Sequence, residues 1–196
     1  VEKENIEKGE VENLIKNYER KLKRIENYGF DERTPDFVVK YGESYVINEE
    51  NPEKCFIVFE QILNRGGRGL CITRTSPESI ELFNRNENVE YIWLTKMGMV
   101  KNERFQTFSP TDLSKITGRI SDFVKENGKN KSIVLFEGVE FLITNNSFND
   151  VIRMLSTVKD IVQSNKGVFL ISMNMNTLKE EEKNIIKREF PNQFSF

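Results

Sequence analysis

The sequence predicts an α/β fold: a three-layer, five-stranded, mainly parallel sheet flanked by helices, preceded by a coiled-coil-like helix. Three observations predict it. From Ser44 onward, short β-branched apolar runs alternate with amphipathic segments of helical period. Prolines and glycines fall at the boundaries between these segments. Residues 1–28 differ from the rest, being polar with a narrow, regularly spaced apolar seam.

That seam comes first in chain order. Val11, Ile15, Tyr18, Leu22 and Ile25 follow one another at alternating steps of four and three, the heptad rhythm of a coiled coil. Glu12 with Lys16 and Glu19 with Lys23 add i,i+4 pairs in the favourable orientation. The expectation is a homo-oligomer held by these five residues; docking of the same stripe on the chain's own domain is the alternative. The basic cluster Arg20, Lys21, Lys23 and Arg24 is interleaved with glutamates and reads as a solvated face. Residues 29–43 read as a linker, 44–190 as the α/β domain and 191–196 as a tail.

Within the domain, strands are predicted over 44–48, 69–74, 89–95, 132–137 and 167–173. Helices are predicted over 52–65, 77–84, 110–127, 148–165 and 177–189. Asn51-Pro52, Ser76-Pro77 and Ser109-Pro110 each place a capping side chain before a proline, as at a helix start. Thr177 with Glu180 has the spacing of a capping box. Gly66-Gly67, Gly128 and Gly167 mark helix ends. Stripes such as Leu113, Ile116, Ile120 and Phe123 repeat at helical spacing and read as core.

Composition narrows the function. Hydrophobic residues make up 37% of the chain, enough for a packed core, and 29 basic against 31 acidic residues give a net charge of −2. That balance argues against nucleic-acid binding. There is no histidine, which removes Ser-His-Asp and Cys-His catalysis and histidine metal ligation. Cys55 and Cys71 read as reduced, buried residues. No apolar run approaches the roughly 20 residues of a membrane span. The expectation is a cytoplasmic protein without a metal, cofactor or catalytic residue.

Ligands of open parallel sheets bind beyond the carboxyl ends of the strands. After the first strand comes Asn48-Glu49-Glu50-Asn51-Pro52-Glu53, which has no glycine, three carboxylates and a proline. A phosphate-binding turn needs free backbone N–H groups and a lysine at the helix start, so this turn is expected to repel phosphate. After the second strand, Thr73, Arg74 and Thr75 offer a cation and hydroxyls beside a helix start. Glu137 and Glu140 follow the fourth strand. These five are the candidate ligand-binding residues, and a capped turn with Arg74 paired to a carboxylate is the plainer reading. The long connection from Thr95 to Phe108, with Met97, Gly98, Met99 and Phe105, is the candidate flap or partner-binding loop.

At these residues the sequence resembles the archaeal family catalogued as domain of unknown function 835. The likeness runs through Gly69-Leu70, Ile72-Thr73-Arg74 and Pro77, then Trp93-Leu94-Thr95, then Ser109-Pro110 and Leu113. It is most specific at Glu137-Gly138-Val139-Glu140-Phe141-Leu142-Ile143, followed by Asn145, Asn146 and Phe148. Family members more often carry Asp at the Glu137 position and Tyr at the Phe141 position. The order of elements is also distantly similar to the RecA/KaiC-like ATPase core, with Glu137 in place of the metal-site acid and the glycine-lysine loop replaced. The resemblance implies a degenerate, non-catalytic relative with a regulatory or protein-interaction role in signalling and an unidentified protein partner. The alternative is a small-molecule or nucleotide binder, possibly an enzyme, using the strand ends at Arg74 and Glu137.

Overall fold

The computed structural model describes residues 39–195 apart from 85, 99, 101 and 130. The heptad residues Val11, Ile15, Tyr18, Leu22 and Ile25 lie outside the described residues. The elements run β1 (Ser44–Asn48), α1 (Lys54–Leu63), β2 (Arg68–Thr73), two 3-10 turns (Pro77–Ser79 and Glu81–Asn84), β3 (Val89–Leu94) and β4 (Phe105–Phe108). They continue with α2 (Leu113–Asn127), β5 (Ser132–Glu137), α3 (Val139–Asn145), α4 (Phe148–Ser164), β6 (Val168–Met173), α5 (Glu180–Glu189) and β7 (Gln193–Ser195). One wholly parallel sheet of seven strands has the order β4-β3-β2-β5-β6-β1-β7.

The α/β architecture with a parallel sheet is as the sequence predicts, but the sheet has seven strands, not five. The two additional strands are the edges. β4 emerges from the Thr95–Phe108 connection, and β7 lies in the residues expected to be a tail, where Val46 pairs with Gln193 and Tyr45 stacks on Phe194. The helix expected over 77–84 is instead two 3-10 turns. A short helix, α3, follows β5 directly. Caps also shift: α4 is capped by Ser147, whose Oγ accepts from Asp150 N at 3.1 Å. At α5 it is Lys179 N that donates to Glu182, at 2.9 Å.

Alternation along the strands sends side chains to two faces. Val46, Leu70, Ile72, Val134, Phe136, Phe169 and Ile171 pack with α2, α3, α4 and α5 in one core. The opposite face carries α1. There Gly69 is required by proximity, since a Cβ would stand 2.6 Å from Phe59 and 3.0 Å from Leu63. Phe83 of the second 3-10 turn covers the same face, meeting Tyr91 edge-on at 5.0 Å. The chain therefore leaves β2 and β1 toward the α1 face, while their neighbours β5 and β6 feed helices on the other. Two crevices where strand order reverses result, at β2/β5 and at β6/β1, both at carboxyl ends.

Candidate functional site

At those carboxyl ends, one line of polar side chains crosses four adjacent strands on the α1 face: Thr73, Glu137, Ser172 and, one step beyond β1, Glu49. Register pairs Glu137 with Ser172 and Ser172 with Ile47. All four are buried, and they make up most of the buried polar residues among those described. Buried polar groups demand partners, and each carboxylate accepts three or more hydrogen bonds from the chain.

Glu49 fills the β6/β1 crevice. Its Oε2 accepts from Glu53 N at 3.1 Å and Lys54 N at 2.8 Å, and its Oε1 accepts from Cys55 N at 3.2 Å and Ser172 Oγ at 2.7 Å. The first N–H groups of a helix have no intrahelical partner, and with the helix dipole they form an anion site. Here the anion is the chain's own. The segment 48–53 was expected to exclude phosphate by repulsion from three carboxylates. The geometry is different: Glu50 and Glu53 are exposed, while Glu49 turns inward and occupies the anion site itself.

Glu137 fills the β2/β5 crevice. Its Oε2 accepts from Thr73 Oγ1 at 2.5 Å, Arg74 N at 2.8 Å and Thr75 N at 3.1 Å. The predicted residues Thr73, Arg74, Thr75 and Glu137 thus meet in one turn. Gly138 makes the closeness possible: its φ is +100°, and a Cβ there would stand 2.8 Å from Arg74 Cβ. The left-handed residue also turns β5 into α3 within a single step.

Among the described residues the guanidinium of Arg74 pairs with no carboxylate, unlike the plainer expectation. Its Nη1 donates to Leu94 O at 3.0 Å, and its Cζ sits 4.3 Å from the Phe141 ring centroid. Trp93 Nε1 donates to Arg74 O at 3.1 Å. Glu140 stands apart from this group, accepting from Asn174 N beyond β6. Burial holds its carboxyl above the usual carboxylate range, opposed by that N–H and reinforced by the charges of Glu137 and Glu49. Burial likewise pushes both cysteine thiols up, and both are free.

Among the described residues, no group of three or more Cys, Asp or Glu side chains is placed to hold a metal ion. None of their helices is long and apolar enough to cross a membrane. Two cavities, of about 320 and 260 Å³, lie by Val89, Tyr91 and Arg104 at the amino ends of β3 and β4, away from the polar line. The residues that sequence reasoning missed are Glu49 as a buried cap and Ser172 as its partner. The available signal was an acid just ahead of a helix whose N-terminal turn has no other capping side chain.

No curated protein matches the chain. A solved structure from Pyrococcus horikoshii OT3 is similar to it at 16% identity, covering 78% of this chain and 79% of that one with a TM-score of 0.48. The profile of a family described as "Protein of unknown function (DUF835)" matches residues 48–190. The chain, whose Arg74 turn, Glu137 and α3 all fall inside that match, belongs to the DUF835 family.

Proposed function

We propose that this protein is a non-catalytic regulatory or protein-interaction module of a signalling type, self-associating through its N-terminal heptad seam. One observation carries the reading: both buried carboxylates at the carboxyl ends of the sheet are spent as hydrogen-bond acceptors within the chain. Glu49 takes the N–H groups at the start of α1, where a nucleotide hydrolase would hold phosphate. Glu137, which by analogy with the RecA/KaiC-like core would stand at the metal, takes the 73–75 turn instead. Phosphoryl transfer depends on donors and a metal arranged around the phosphates. Here the donors serve internal anions, and displacing Glu49 would strand a buried carboxylate at a cost of several kcal/mol.

A steady-state ATPase assay with Mg²⁺ tests this. The wild-type chain and Glu137→Gln are both expected to read at background. Turnover that disappears in Glu137→Gln would refute the reading and favour the nucleotide-binding alternative at Arg74 and Glu137.

A further inference from the structure

We propose that the exposed corner formed by Arg74 and Lys96 around the Phe141 ring, with Met97 following Lys96 in the chain, docks an acidic segment of a partner protein that also carries apolar side chains. This rests on the interaction role proposed above and names its surface and partner chemistry.

Arg74 is an exposed cation on an unusually constrained backbone. Its N–H is held by Glu137, its carbonyl by Trp93, and its Cβ abuts Gly138. A buried carboxylate, a glycine at positive φ and an indole all fix a residue whose side chain faces solvent. Fixing a contact residue in advance lowers the entropy lost on binding.

Two cations gather on Phe141. The Arg74 guanidinium lies 4.3 Å and the Lys96 ammonium 6.0 Å from that one ring centroid. Lys115 sits 4.3 Å from the Phe108 ring, and Phe108 O accepts from the N–H of Thr95, the residue before Lys96, at 3.0 Å. None of these three cations forms an ion pair among the described residues. In a chain with more acids than bases, Arg74 and Lys96, held on one aromatic ring and in no ion pair among the described residues, complement an external acidic group.

Apolar character sits beside the charge. Met97 is 80% exposed, the most exposed large hydrophobic residue among those described, and Val100 follows it at 37%. Methionine adapts to varied partners, and exposed large apolar side chains are informative where they adjoin a fixed polar site. The corner is open surface; the cavities described above lie at the opposite ends of the strands. An open surface with spaced cations and a flexible apolar arm suits an extended segment rather than an enclosed small molecule. The net charge of −2 disfavours a nucleic-acid partner.

The test is fluorescence anisotropy of the full chain with a short fluorescein-labelled peptide of glutamate and leucine. Saturable binding that weakens with salt is expected, together with a loss of about tenfold in Arg74→Glu/Lys96→Glu. Lys96→Glu alone, at an exposed position away from the Glu137 turn, is expected to lose part of that affinity, so the result does not hinge on folding of the double variant. Lys187→Glu/Arg188→Glu on α5 makes the same charge change elsewhere and should leave binding within about twofold. The proposal is overturned by no saturable binding to the wild type, by equal loss in the α5 control, or by tighter binding to a single-stranded oligodeoxynucleotide than to the peptide. Absent peptide binding with background ATPase would remove this surface alone; Glu137-dependent turnover would remove the non-catalytic reading itself.

Discussion

Glu49 and Glu137 do the same physical job at two crevices: each brings a formal charge into the protein and spreads it over backbone N–H groups and a hydroxyl. Charge-assisted bonds of this kind are roughly twice as strong as neutral ones. Glu49→Ala leaves Lys54 N, Cys55 N and Ser172 Oγ without their acceptor, while Glu53 N keeps Asn51 O at 2.8 Å. It should destabilise the chain by about 2–3 kcal/mol, lowering the thermal midpoint by roughly 5–10 °C in a calorimetric scan. Gly138→Ala forces a Cβ onto Arg74 at φ +100°; a loss of about 1–3 kcal/mol is expected in urea unfolding, with the slope unchanged. Glu140 behaves in the opposite sense to a salt-bridged acid. Its folded-state pKa is raised, so its contribution is present below the ordinary carboxylate value and lost as pH rises through the folded one. Glu140→Gln keeps an acceptor for Asn174 N and should therefore be more stable than wild type at neutral pH. The gain should vanish near pH 4, as read from paired unfolding curves at the two pH values.

At the level of elements, central strands and long amphipathic helices were legible because burial on one face enforces a period. β1 and β5 have the boundaries their apolar runs predict, and α2 and α4 start within three residues of the expected position. The edges were not legible. β7 is Gln-Phe-Ser, too short to show alternation, and it is a strand only because β1 offers it an unpaired edge. β4 is Phe-Gln-Thr-Phe inside what reads as a flap. α3 was hidden because it has only seven residues and follows β5 across the single residue Gly138, too short a run to show a helical period. In the site, Thr73 to Thr75 and Glu137 were singled out by position after strands, while the inward turn of Glu49 depends on Ser172, more than a hundred residues away in sequence. Removing residues 191–196 tests the edge argument. The bare β1 edge would expose unpaired backbone groups, so the truncated chain should melt several degrees lower and aggregate faster on heating, by light scattering.

For the whole molecule, the buried carboxylates at the carboxyl ends of the sheet are held by donors of the chain itself. The self-association proposed for residues 1–28 is tested separately. Ile15→Asp/Leu22→Asp, which breaks the heptad seam, should shift sedimentation toward the monomer without changing the thermal unfolding of the domain. Association that survives the double substitution would place it elsewhere. The central claim is that the carboxyl ends of the sheet hold the chain's own anions rather than a nucleotide. Calorimetric titration of the full chain with ATP in Mg²⁺, and with GDP and a cyclic nucleotide, measures this most directly. The account predicts no saturable heat with any of them. Binding at micromolar concentration, abolished by Glu137→Gln or Arg74→Ala, would contradict it.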